Sequence, residues 1–113
     1  MKAFFVTGTD TDAGKTTVTA ALLRAFAAAH VSACAVKPVQ TGCTEGPDGP
    51  LAPDVELWKK AGGRGRVLSA FRVPCSPHLA AKLEGRRIDV ASLAAACREA
   101  VDPGSVTLFE GAG

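Results

Sequence analysis

Gly8-Thr9-Asp10-Thr11-Asp12-Ala13-Gly14-Lys15-Thr16-Thr17 stands between a short apolar run, Ala3-Phe4-Phe5-Val6, and a segment with apolar residues at Val18, Ala21, Leu22, Ala25, Phe26 and Ala29. The run predicts a strand and the 3.6-residue recurrence predicts a helix, so the stretch between them is a strand-to-helix connection. Glycines in such a connection let the backbone curl until successive N–H groups point inward, and the helix N-terminus adds its partial positive charge. That environment suits a phosphate group. Lys15 follows where an ammonium reaches the outer phosphates, and the Thr16 hydroxyl is placed to ligate Mg²⁺. The common phosphate-loop spacing has four residues between the glycines, whereas five separate Gly8 from Gly14. The competing reading is a glycine-containing turn that precedes a helix by coincidence.

Ala33-Cys34-Ala35-Val36 is a second apolar run without alternation, as expected of a strand covered on both faces of a parallel sheet. Pro38 limits its continuation. The two runs and the helix between them make a βαβ unit. The segment 42–53 holds three glycines and three prolines and predicts an irregular surface loop. A short helix is expected over 54–61, ended by Gly62-Gly63. A strand is expected over 67–73, and a short helix over 78–83 after Ser76-Pro77. A longer helix is capped by Asp89, with Val90, Leu93, Ala94, Cys97 and Val101 on its buried face. The final strand, 106–109, delivers Glu110 to its C-terminal end. The chain then stops at Gly111-Ala112-Gly113. Because a parallel sheet is ordinarily covered by further helices, this predicts the N-terminal part of a longer protein.

The 113 residues suffice for one domain, 1–113. With 47% hydrophobic and 21% charged residues, the chain has the apolar content of a folded globular protein rather than a disordered one. Thirteen Lys and Arg against eleven Asp and Glu leave a net charge of +2, too balanced to point to nucleic acid or an anionic membrane. No apolar run approaches the roughly 20 residues needed to cross a bilayer, and no cleavable signal pattern follows Met1-Lys2. The expectation is a cytoplasmic protein. Cys34, Cys43, Cys75 and Cys97 form no CxxC pair, so they read as reduced thiols packed as small hydrophobes.

Three further positions carry candidate chemistry. Lys37 opens Lys37-Pro38-Val39-Gln40-Thr41-Gly42 just past the second strand, at the C-terminal sheet edge where ligands of open α/β sheets bind. No carboxylate close in sequence is placed to neutralise it, so it can face a transferred phosphoryl group or an anionic intermediate. The alternative is a solvated loop lysine. Asp54 reads either as an N-cap or as a carboxylate that completes the Mg²⁺ shell begun by Thr16. Glu110 reads as a metal ligand at the end of an apolar strand, where Gly111-Ala112-Gly113 permit close approach of phosphate, or as an exposed loop glutamate. His78 reads as a structural donor before a general base, His30 as a partner of the first helix's C-terminus, and Arg86-Arg87 as solvated turn surface before an anion site.

Taken together, GTDTDAGKT at 8–16, KPVQTG at 37–42, Asp54, SPHLAA at 76–81 and EGAG at 110–113 resemble the dethiobiotin synthetase family, from one end of the chain to the other. The five-residue gap in the phosphate loop, awkward for a generic Walker A motif, is the spacing of that family. The resemblance implies an α/β fold of the P-loop NTPase type: a mostly parallel sheet flanked by helices on both faces, truncated here after the strand ending at Glu110. It implies an ATP- and Mg²⁺-dependent cyclo-ligase that forms C–N bonds, closing a cyclic urea from 7,8-diaminononanoate and CO₂ to give dethiobiotin. One amine is carbamated, the carbamate oxygen attacks the γ-phosphate of ATP, and the second amine then expels phosphate from the carbamic-phosphoric anhydride.

By the same resemblance Lys37 and Lys15 are catalytic. Asp12, Ala13, Gly14, Lys15, Thr16 and Thr17 line the nucleotide phosphates together with Asp54, Glu110, Gly111, Ala112 and Gly113. Thr16, Asp54 and Glu110 hold Mg²⁺, and Thr11 and Thr41 contact the diamine or its carbamate. Thr41 stands where some relatives have serine. Members act as homodimers with the substrate cleft at the interface and run to about twice this length, so 113 residues alone would hold an incomplete pocket and be poorly stable or inactive. A switch ATPase of the partition or metal-delivery type, and a phosphate-binding fragment without turnover, are the alternatives. The switch class calls for an early phosphate-loop lysine and an aspartate-based switch segment, and neither is visible.

Overall fold

A computed structural model of the chain describes residues 2–8 and 14–112. Four strands form one parallel sheet: β1 (Lys2–Val6), β2 (Ala33–Gln40), β5 (Gly65–Ala70) and β6 (Val106–Glu110). Their order across the sheet is β1-β6-β2-β5, so the last strand in sequence lies inside the sheet, between the two that begin it. The helices are α1 (Lys15–Ala28), α2 (Pro53–Lys60), α3 (Pro77–Leu83) and α4 (Val90–Ala100).

Two helix layers cover the sheet. Leu23 of α1 and Val55 and Trp58 of α2 form a buried cluster with Ala35, Val106 and Leu108 of the strands. Ala80 and Ala81 of α3 gather with Val39 and Phe71 in a second cluster, against which Ile88 and Leu93 pack. Val67 joins the first cluster, whereas its neighbour Leu68 lines a cavity with Leu93 and Ala96 of α4. That alternation is the signature of a strand between two layers.

Several sequence expectations shift. The segment 42–53 is not irregular throughout: β3 (Thr44–Gly46) and β4 (Gly49–Leu51) pair antiparallel around Pro47-Asp48. Gly49 supplies the left-handed φ of 121° after the turn. At Gly46 a Cβ would lie 2.7 Å from Leu51 Cγ, so the two short strands approach through a residue without a side chain. Strand β2 continues through Pro38, because the β2–β6 ladder ends at Val36↔Phe109 and Pro38 carries no pair in the β5 register. A missing N–H there removes no ladder bond.

The expected 67–73 strand begins and ends earlier, as β5. The buried face of α1 is set by Lys15, Thr19 and Leu23 rather than by Val18, Ala21 and Ala25, because an alanine-rich helix offers several apolar faces and the sheet selects one. Val90 of α4 is 76% exposed, and Leu93 makes the contact instead. Asp89 is the N-cap of α4, and its carboxylate accepts from Ser92 Oγ at 2.5 Å. His30 follows the C-cap Ala29 in the left-handed region, at φ 59°.

All four cysteines are free thiols, and Cys43 sits in the first cluster, where burial pushes its pKa up. No helix among the described residues is long and apolar enough to cross a membrane.

Candidate active site

Strand register alone brings two charged groups abreast. Val36 pairs with Phe109, so Lys37 and Glu110, each one residue further on, meet at the C-terminal edge of adjacent strands. The period of two places Glu110 in the row begun by Val106 and Leu108, and Lys37 in the row of Ala33 and Ala35, both facing α1 and α2. Glu110 thus ends the apolar row of β6, and Lys37 interrupts that of β2.

That placement buries both groups: Glu110 is 0% exposed and Lys37 only 3%. Lys37 Nζ lies 2.8 Å from Glu110 Oε2 and 2.6 Å from Asp54 Oδ2, and donates to the Gly111 carbonyl at 3.1 Å. Asp54 arrives because Pro53, at the first helical position, starts α2 with Ala52 as N-cap. The Asp54 carboxylate therefore does not cap its own helix and turns to Lys37 instead. From α1, Thr16 Oγ1 donates to Glu110 Oε2 at 3.0 Å, and Thr19 Oγ1 lies 2.8 Å from Glu110 Oε1. A buried carboxylate and ammonium are tolerable because each meets opposite charge and several hydrogen-bond partners.

Lys37 is thus neither solvated nor without a neutralising carboxylate. The two acids that hold it come from α2 and from the distant β6, which proximity in sequence could not reveal.

These groups open into one cavity of about 370 Å³ whose lining includes Lys15, Thr16, Lys37, Thr41, Asp54, Glu110 and Ala112. Lys15 and Lys37 therefore share a site. Gly14, the left-handed N-cap of α1 at φ 82°, positions the first turn that carries Lys15 and Thr16. Thr17 is exposed on the helix and does not line this cavity. Thr11, Asp12, Ala13 and Gly113 fall outside the described residues.

His78 lines a different cavity, with Lys82, Arg86 and Arg87. Arg86 is not merely solvated: its guanidinium stacks 3.9 Å from the Phe71 ring centroid and donates to the Ala70 carbonyl. Sequence reading missed Thr19, Gln40 and Cys75. Thr19 carried a usable signal, since it lies one helical turn beyond Lys15 and Thr16 on the same face.

Residues 2–113 match the profile of an AAA domain. The chain belongs to that AAA-domain family. It is 40% identical to the ATP-dependent dethiobiotin synthetase BioD of Anoxybacillus flavithermus, over 100% of this chain and 52% of that protein. It is 39% identical to the protein of the same name from Nitrosospira multiformis, over 99% of this chain and 50% of that one. A third, from Vibrio vulnificus, is 39% identical over 100% of this chain and 52% of its own length. The chain spans about half the length of the curated relatives it matches.

Proposed function

We propose that the protein is an ATP-dependent dethiobiotin synthetase and that these residues hold its phosphate and metal chemistry. The observation that carries this reading is the convergence of Lys15, Thr16, Lys37, Asp54 and Glu110 on one cavity at the end of the sheet. The names of the relatives supply the reaction class.

The donor set suits Mg²⁺. Thr16, Asp54 and Glu110 offer hydroxyl and carboxylate oxygens around a position now spanned by an ammonium, the chemistry of a hard-cation site. When bound, Mg²⁺ supplies neutralisation of the β- and γ-phosphate charge.

The rest of the chemistry falls to side chains of this chain. Lys15, in the first turn of α1, places an ammonium toward the phosphates. Lys37, which lines the cavity, offers positive charge to the carbamate and to the phosphoryl group it attacks. The hydroxyl of Thr41, which lines the same cavity, orients the diamine, and Thr11 shares that role. Phosphate-loop residues Asp12 to Thr17, with Gly111 to Gly113, line the nucleotide. The protein acts as a cytoplasmic homodimer whose partner completes the substrate cleft.

The test is dethiobiotin formation by the full-length protein with ATP, Mg²⁺, bicarbonate and 7,8-diaminononanoate. Phosphate release should depend on the diamine and fall by about 10² or more in Lys37→Ala. ATP hydrolysis indifferent to the diamine would overturn the assignment.

A further inference from the structure

We infer that Thr19 is a positioning residue for the metal site, acting through Glu110; this rests on the reading of Glu110 as a metal ligand. The two oxygens of Glu110 have different surroundings. Oε2 accepts from Lys37 and Thr16, both of which line the cavity, whereas Oε1 meets Thr19, which does not line it. Oε2 is therefore the oxygen on the ligand side, and Oε1 is turned into the protein. Thr19 and Glu110 are both 0% exposed.

Thr19 Oγ1 lies 2.9 Å from the Lys15 carbonyl and 2.8 Å from Glu110 Oε1. Both are acceptors, and a hydroxyl has one proton to give. The Lys15 carbonyl sits one turn back in α1, where the Thr19 backbone N–H already serves it. A buried carboxylate oxygen left without a donor costs more than a carbonyl that keeps one partner. The proton accordingly goes to Glu110.

The consequence is orientational. The terminal torsion of a glutamate is broad, so the chain itself does not hold the carboxylate plane. Glu110 needs a second anchor if Oε2 is to face the cavity, and Thr19 supplies it on the far oxygen. Partners that orient a ligand from behind are worth about 10- to 100-fold in metal affinity.

The test uses Mn²⁺ alone as probe, its binding to the full-length protein followed by the electron paramagnetic resonance of the free ion, with folding checked by thermal melting. Thr19→Val, nearly the same shape without the hydroxyl, should weaken Mn²⁺ at least 10-fold. Thr19→Ser, which restores the donor, should stay within about threefold of wild type. Glu110→Gln should weaken binding at least as much as Thr19→Val. Wild-type affinity in Thr19→Val beside loss in Glu110→Gln would overturn the role of Thr19 and leave the metal assignment standing. Wild-type affinity in Glu110→Gln would overturn the metal assignment itself. Should Thr19→Val fail to fold, Thr19→Ser and Thr19→Cys decide, because a thiol is a far weaker donor. Serine should then bind Mn²⁺ about 10-fold more tightly than cysteine, and equal affinities would overturn the inference.

Discussion

Replacing Lys37 by methionine removes one charge and little volume. The lysine side chain is only 4% exposed along its whole length, so an unbranched apolar side chain can follow its path. What is lost is an ammonium 2.6 Å from Asp54 and 2.8 Å from Glu110. Two opposite unit charges at about 4 Å attract by about 4 kcal/mol at an effective dielectric of ~20. Removing one partner of a buried pair costs about 3–5 kcal/mol, most of it from the charge left behind. Glu110 has no exposure to water, whereas the Asp54 side chain is 21% exposed and the cavity admits solvent, which sets the expectation at the lower end, about 3 kcal/mol.

Urea unfolding in the presence of EDTA, followed by the fluorescence of Trp58, reads this directly. Trp58 is the one tryptophan of the sequence, is fully buried, and lies one turn beyond Asp54 on α2. With a denaturant slope of about 1–3 kcal/mol per molar, the midpoint should fall by about 1–3 M. Mg²⁺ should then restore more stability to Lys37→Met than it adds to the wild type, because the ammonium no longer shares the two carboxylates. A metal present at about 100 times its dissociation constant stabilises by about 2.7 kcal/mol. A Lys37→Met midpoint equal to wild type in EDTA would refute the claim that Lys37 holds this site together.

Two further outcomes test the frame around the site. Gly65→Ala should destabilise by about 1–3 kcal/mol, because a Cβ there would stand 2.5 Å from Trp58 Cε3 and 2.9 Å from the Ala35 carbonyl; a wild-type urea midpoint would show that the contact yields without cost. The Ser92 hydroxyl, with help from backbone N–H groups, holds the Asp89 carboxyl below its ordinary pKa of 3.8. The resulting stability is complete above that ordinary value and is lost as pH falls through the lower folded one. Ser92→Ala should therefore move the Asp89 titration, followed by NMR, upward and flatten the acid limb of the stability curve. An unmoved Asp89 would refute the attribution.

What the sequence disclosed of the site follows from how each contact is made. Lys15 and Thr16 were legible because a strand, a glycine-bracketed loop and a helix are consecutive, and local sequence specifies local geometry. Glu110 was legible because a strand end is a defined place on a sheet. Its neighbours were not, since nothing in the order of segments requires β6 to enter between β1 and β2. That single insertion sets Glu110 beside Lys37 and beneath α1.

Asp54 shows the same limit from the other side. Pro53-Asp54 suggests an N-cap, but Ala52 takes the cap and the carboxylate finds a stronger partner in Lys37. Thr19 is not legible in the sequence for a different reason. In a helix read by its apolar stripe, a buried threonine looks like a defect in the pattern, whereas its hydroxyl meets the one fully buried carboxylate among the described residues. A polar residue on the helix face that also carries a phosphate-loop lysine should therefore be read with the strand ends opposite it. The edge strand β1 carries the complementary lesson: Phe4 and Phe5 are 54% and 63% exposed, although they lie in an apolar run that by itself predicts a strand. Apolar pattern identified the strand, but the extent of its burial depends on neighbours that the pattern does not contain.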